Sequence, residues 1–224
     1  MNTANIYIVI GLEGCGHHGF TPIIRSLIKG YARENHQESV RLSHIFNRRC
    51  FQKLHNRDVF RDEISEFFRT KTTNDLVLDQ SFPGYESPEM RPVDRQWLIS
   101  DIYDEVIKYT PNLHMIHLNR DIYNTINSHP TWDGGILLHA KLLVDINSFI
   151  LNEIERLESK NVPVSVVNYE NIDSDVTTRI LSDITGVDEK IVSKRIKQHF
   201  KISTKDYKKI IDDDIMHKLK KIVN

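Results

Sequence analysis

The stretch Ile6-Tyr7-Ile8-Val9-Ile10-Gly11-Leu12-Glu13-Gly14-Cys15-Gly16-His17-His18-Gly19-Phe20-Thr21-Pro22-Ile23-Ile24 decides how this chain reads. Its first five residues are an apolar, β-branched-rich run, which predicts a buried strand of a parallel sheet. Gly11, Gly14, Gly16 and Gly19 then fall within nine residues. Ile23, Ile24, Leu27 and Ile28 recur at helical spacing, so a helix is expected to begin between Gly19 and Pro22. A strand, a glycine loop and a helix in succession make a cradle for phosphate. Glycine lets the backbone come close to an anion, and the unpaired N–H groups at a helix start point at it.

The spacing invites comparison with the nucleotide-binding P-loop, G-x-x-x-x-G-K-[ST]. Gly11 and Gly16 hold the two glycine positions, but His17 stands at the lysine and His18 at the Ser/Thr. Without the lysine for the β/γ-phosphates and the hydroxyl for Mg²⁺, ordinary ATP hydrolysis is not expected. Phosphate binding still is.

Working outward, the whole 224-residue chain has the size of one medium α/β domain, with 39% hydrophobic and 27% charged residues. A net charge of −1 supplies no field that would favour nucleic acid or an acidic membrane surface, so neither is an expected partner. Cys15 and Cys50 do not make a disulfide framework. Cys15 either has its pKa lowered by the helix amides or is simply a small residue fitting a tight loop. No apolar run reaches the length of a membrane span and no signal-peptide pattern opens the chain, so a cytoplasmic, reducing setting is expected.

Further strands are predicted at Val40–Ile45, Asp75–Asp79, Leu113–Leu118 and Pro163–Val167. Helices are predicted within Asn47–Thr73, and over Val93–Tyr109, Ile122–Ser128, Ile136–Glu158, Asp175–Thr185 and Asp188–His199, with an amphipathic tail. Alternation of strand and helix gives a three-layer α/β/α fold with a mostly parallel sheet of about five strands. One domain covers 1–224, with 200–224 a peripheral tail. Ligands of parallel sheets collect outside the carboxyl ends of the strands. Asp79 and Ser81 follow one such end, and Asn119-Arg120-Asp121 another.

Three segments together resemble the sulfotransferases that use 3′-phosphoadenosine 5′-phosphosulfate (PAPS). Glu13-Gly14-Cys15-Gly16-His17-His18 is similar to that family's loop for the 5′-phosphate. Arg120, at a strand end, is followed eight residues later by Ser128, the family's spacing for binding the 3′-phosphate. Val166-Val167-Asn168-Tyr169-Glu170-Asn171-Ile172 looks like the late strand ending in Y-E-D/N-L. The resemblance runs from Ile6 to about His199, and the G-L-E-G-x-G-H-H loop looks like that of a divergent subgroup.

The resemblance implies transfer of a sulfuryl group from PAPS to a hydroxyl or amine of a carbohydrate or small-molecule acceptor. Gly14, Cys15, Gly16, His17, His18 and Gly19 would hold the 5′-phosphate, Arg120 and Ser128 the 3′-phosphate, with Tyr169 beside them. The family's loop lysine or arginine aligns with Gly14, so that cation is missing here. His17 or His18 is expected to stand in for it, with His17 favoured, and Asp79 is favoured over His17 or His18 as general base. Metal is not required by this chemistry. The alternatives are a P-loop nucleotide kinase and a non-catalytic nucleotide-binding relative. Arg48–Thr73 and Gly84–Asp94 are expected to shape the acceptor site.

Overall fold

The computed structural model describes residues 5–51, 57–82, 99–128, 135–200 and 213–223. Four parallel strands form one sheet in the order β2-β1-β3-β4. These are β1 (Asn5–Leu12), β2 (Asp75–Phe82), β3 (Asn112–Asn119) and β4 (Val164–Asn168). β1 is central, and its residues from Ile6 to Leu12 are all buried, as a continuous apolar run between two neighbours requires.

Helices cover both faces. On one side α1 (His17–Leu27) packs on β1 and β2 and against α7 (Asp175–Thr185) and α8 (Glu189–His199). On the other, α6 (Ile136–Ser159) lies over β1 and β4 and carries α4 (Ile99–Val106), α5 (Ile122–Asn127) and α9 (Asp213–Val223). The architecture is therefore the expected three-layer α/β/α with a parallel sheet.

The sheet has four strands, not about five, because Val40–Ile45 is not a strand. It lies inside α2 (Arg33–Phe51), which is followed by α3 (Arg57–Thr70). The local alternation around Leu42 suggests a strand, but the buried positions Asn35, Ser39, Leu42 and Phe46 follow the helical period. Tertiary contacts explain the outcome. Asn35 Nδ2 donates to the Asp75 carbonyl at 2.9 Å, and the Val77 N–H donates to Ser39 Oγ at 3.0 Å. The outer edge of β2 is thus closed by side chains of a helix where a strand was expected, satisfying backbone groups that an open edge would expose.

The strand order places a switch point between β1 and β3. From β1 the chain goes to β2 on one side and to β3 on the other. A crevice opens at the carboxyl ends of the strands at such a point. The glycine loop after β1 and Arg120 after β3 border it. The expected loop Gly84–Asp94, the start of the helix placed at Val93 and Trp132 lie outside the described residues.

Candidate functional site

β1 runs through Gly11 to Leu12, so Gly11 belongs to the strand rather than to the loop. A Cβ on Gly11 would stand 2.5 Å from the Leu118 carbonyl oxygen and 2.9 Å from His17 Nε2, so its place in the strand depends on having no side chain. The loop proper is Glu13 to Gly16. Gly16 is the N-cap of α1, with φ 91°. A Cβ there would come within 2.0 Å of the Tyr169 ring, which excludes any other residue without rearrangement.

α1 begins at His17, earlier than expected, with no side-chain cap and no acidic residue in its first turn. The N–H groups of Gly19 and Phe20 are taken up by the Gly16 carbonyl at 2.9 and 3.1 Å, and that of Cys15 by Leu12 at 3.0 Å. Those of Gly14, Gly16, His17 and His18 have no backbone acceptor among the described residues. These four, rather than the whole run to Gly19, are the amides free to meet an anion.

Arg120 connects the two sides of the crevice. It leaves the end of β3, donates from Nη1 to the Gly14 carbonyl at 2.6 Å, and sits 4.6 Å above the centre of the Tyr169 ring. Its Nε lies 4.0 Å from Glu170 Oε1 and is buried without an aligned partner. Glu170 is held in turn by the Asp121 N–H at 3.1 Å and Asn124 Nδ2 at 3.3 Å. Tyr169 packs edge-on against Phe200 at 5.2 Å. Ser128 closes α5, its hydroxyl donating to the Thr125 carbonyl at 2.6 Å and keeping its acceptor capacity.

Glycine loop, Arg120, Ser128, Tyr169, Asp79 and both histidines line one cavity of about 370 Å³. The sequence-predicted residues are thus brought together, with two exceptions in role. Cys15 is buried, and burial pushes its thiol up to about 11, against the lowering influence of Thr125, the Leu12 backbone and Arg120. Of the two readings of Cys15, the small residue in a tight loop is the one that holds. Gly19 faces Phe200 rather than the cavity.

The two histidines differ. His17 is buried, with Nδ1 at 2.8 Å from Asp79 Oδ1, a close contact that lacks the alignment of a full hydrogen bond. His18 is exposed. Burial alone would raise the Asp79 pKa, but His17, His18 and Arg25 outweigh it and hold the carboxyl below its usual range. Asp79 is therefore an ionised group in this cavity. His117, on β3 and buried, is pushed down to about 4 by burial and by the nearby His17.

Glu13 was not among the expected site residues, although it stands between the apolar strand and the glycines. It lines the cavity, is 5% exposed, and neither carboxyl oxygen has a hydrogen-bond partner among the described residues. Burial raises its pKa to about 7, so it is neutral in mildly acidic solution. No group of three metal-ligating side chains is placed together among the described residues. Set against known protein families, curated proteins and solved structures, the chain finds no match.

Proposed function

We propose that this chain is a PAPS-dependent sulfotransferase acting on a hydroxyl or amine of a carbohydrate or small molecule. The observation that carries the reading is convergence. A glycine loop at a helix start, an arginine, a serine and a tyrosine come from three different strand ends onto one cavity at the sheet's switch point. The donors fit phosphate: the α1 terminus has no side-chain cap, and Arg120 Nε is buried without an aligned partner.

PAPS, when bound, supplies the sulfuryl group and a phosphate leaving group. The free amides of Gly14, Gly16, His17 and His18 hold its 5′-phosphate, and Arg120 with Ser128 hold its 3′-phosphate. Tyr169 braces Arg120 from below. Arg120 also ties this cavity together, because its guanidinium rests on the carbonyl of Gly14, the position of the missing loop cation. His18, open to the cavity, donates to the leaving oxygen in place of buried His17, and Asp79 takes the acceptor proton. His17 positions Asp79 and keeps it ionised. Glu13, while protonated, adds no charge that would repel phosphate.

The test is calorimetric binding of 3′-phosphoadenosine 5′-phosphate, with adenosine 5′-phosphate and Mg-ATP as controls, to wild type and Arg120→Ala. Preference for the 3′-phosphate, lost in the variant, supports the reading. Equal or tighter binding of Mg-ATP, indifferent to Arg120, replaces it with a nucleotide kinase. Nucleotide binding with no turnover across a broad acceptor panel makes the chain a non-catalytic relative.

A further inference from the structure

A second cavity, of about 430 Å³, lies between α1 and α2. Its α2 wall carries His36, Val40 and His44, one turn apart on a single helix face and all exposed. Its α1 wall carries His18 and Arg25. Arg25 is partly buried and makes no ion pair among the described residues, and its Nε is buried without a hydrogen-bond partner. The carboxylate lining the cavity, Asp79, contacts His17 and is shared electrostatically with His18 and Arg25. Three imidazoles and a guanidinium thus border a space with a single carboxylate among its described lining residues, and the charge of Arg25, after burial, helps to hold the His36 pKa down. A partly buried guanidinium whose Nε has no hydrogen-bond partner, near one shared carboxylate, can take a second anion.

Position gives the cavity its meaning. His18 and Asp79 line it and also line the glycine-loop cavity, so the two spaces share a wall at the residues assigned to proton and leaving-group chemistry. We infer that the α1–α2 cavity is the acceptor site, and that it selects acceptors carrying an oxyanion, a sulfate or carboxylate, which Arg25 and His36 anchor with His44 at the rim. This rests on the sulfotransferase reading for the word acceptor, while the anion site itself stands on Arg25 and the histidines. An anion held at Arg25 leaves the rest of the molecule to extend toward Asp79. The volume suits a monosaccharide-sized ligand.

The test follows the imidazole resonances of His36 and His44 by NMR while inorganic sulfate, glucose 6-sulfate or glucose is added. Wild type and Arg120→Ala are expected to show saturable shifts with both sulfate-bearing probes and none with glucose. Arg25→Gln is expected to weaken both at least tenfold. His36→Gln, on an exposed helix face where folding is not at risk, is expected to weaken them about threefold, read at His44. Saturation by inorganic sulfate but not by glucose 6-sulfate would overturn the acceptor assignment. Absence of saturation, or indifference to Arg25, would overturn the anion site. Arg120→Ala keeps this result separate from the nucleotide reading: loss of nucleotide binding with sulfate binding intact upholds the site, whatever cofactor the first cavity takes.

Discussion

The two cavities that meet at His18 and Asp79 are built differently. In the glycine-loop cavity the polar groups are braced before any ligand arrives. Arg120 is bonded to Gly14 and stacked on Tyr169, Ser128 is bonded to α5, and Glu13 is buried. In the α1–α2 cavity His36 and His44 stand on an open helix face and Arg25 is partly buried, with no such bracing. The first is pre-formed at the ends of parallel strands, and its residues carry both fold and binding. The second is a surface between helices, so its residues can change with little effect on folding. On the proposed reading, these two constructions would serve rigid recognition of a cofactor and adaptable recognition of an acceptor.

The contrast is broken most sharply at Gly16. Gly16→Ala is expected to cost about 3 kcal/mol, from a left-handed backbone and a collision with the Tyr169 ring. Denaturant unfolding measures it, and pairing with Tyr169→Ala should recover the steric part, leaving about 1 kcal/mol of backbone strain. If Gly16→Ala is neutral, the loop is not pre-formed.

Arg120→Ala comes next, weakening nucleotide binding by about 10- to 100-fold through loss of charge-assisted bonds. Calorimetry measures the loss, and sulfate binding in the α1–α2 cavity should not change.

Glu13→Gln sharpens the comparison through pH. The folded pKa of Glu13 lies near 7, above its unfolded value of 4.5, so the folded state holds the extra proton between those values. Stability from this group is full below pH 4.5 and is lost as pH rises through 7. Glu13→Gln should therefore match wild type near pH 4.5 and exceed it by about 1–2 kcal/mol at pH 8, after allowing for water at the cavity mouth. A wild-type profile that rises over this range instead would mean that Glu13 is paired.

The smallest effect is expected at Arg25. Arg25→Gln should leave unfolding within about 0.5 kcal/mol of wild type, as befits a residue with no ion pair to lose. A large loss would show that the α1–α2 face is part of the framework after all.

Much of the first cavity was legible because parallel sheets deliver strand ends to one rim. Once β1, β3 and β4 were recognised, Arg120 and Tyr169 had to come near the glycine loop, whereas Asp79 and Ser81, expected at the end of their strand, lie inside β2, which runs on to Phe82. Three things were not legible. Gly11 was taken for a loop glycine because spacing cannot show that β1 runs on to Leu12. His17 was favoured over His18 for the leaving-group role, but the first turn of α1 turns His17 inward to Asp79 and leaves His18 exposed. The α1–α2 cavity was hidden because Val40–Ile45 was read as a strand. In a strand His36, Val40 and His44 would stand about 13 Å from one to the next, whereas along a helix they are about 6 Å apart and form one wall.

By itself the sequence determined the layering, the parallel sheet and the rim that gathers the glycine loop and Arg120, because apolar period and turn residues are local properties. Tertiary structure decided how the edge of β2 is closed, which histidine meets Asp79 and how far Glu13 is buried. Those outcomes depend on which backbone groups still need partners once distant segments pack, as Ser39 and Asn35 do for β2. No window of sequence contains both partners.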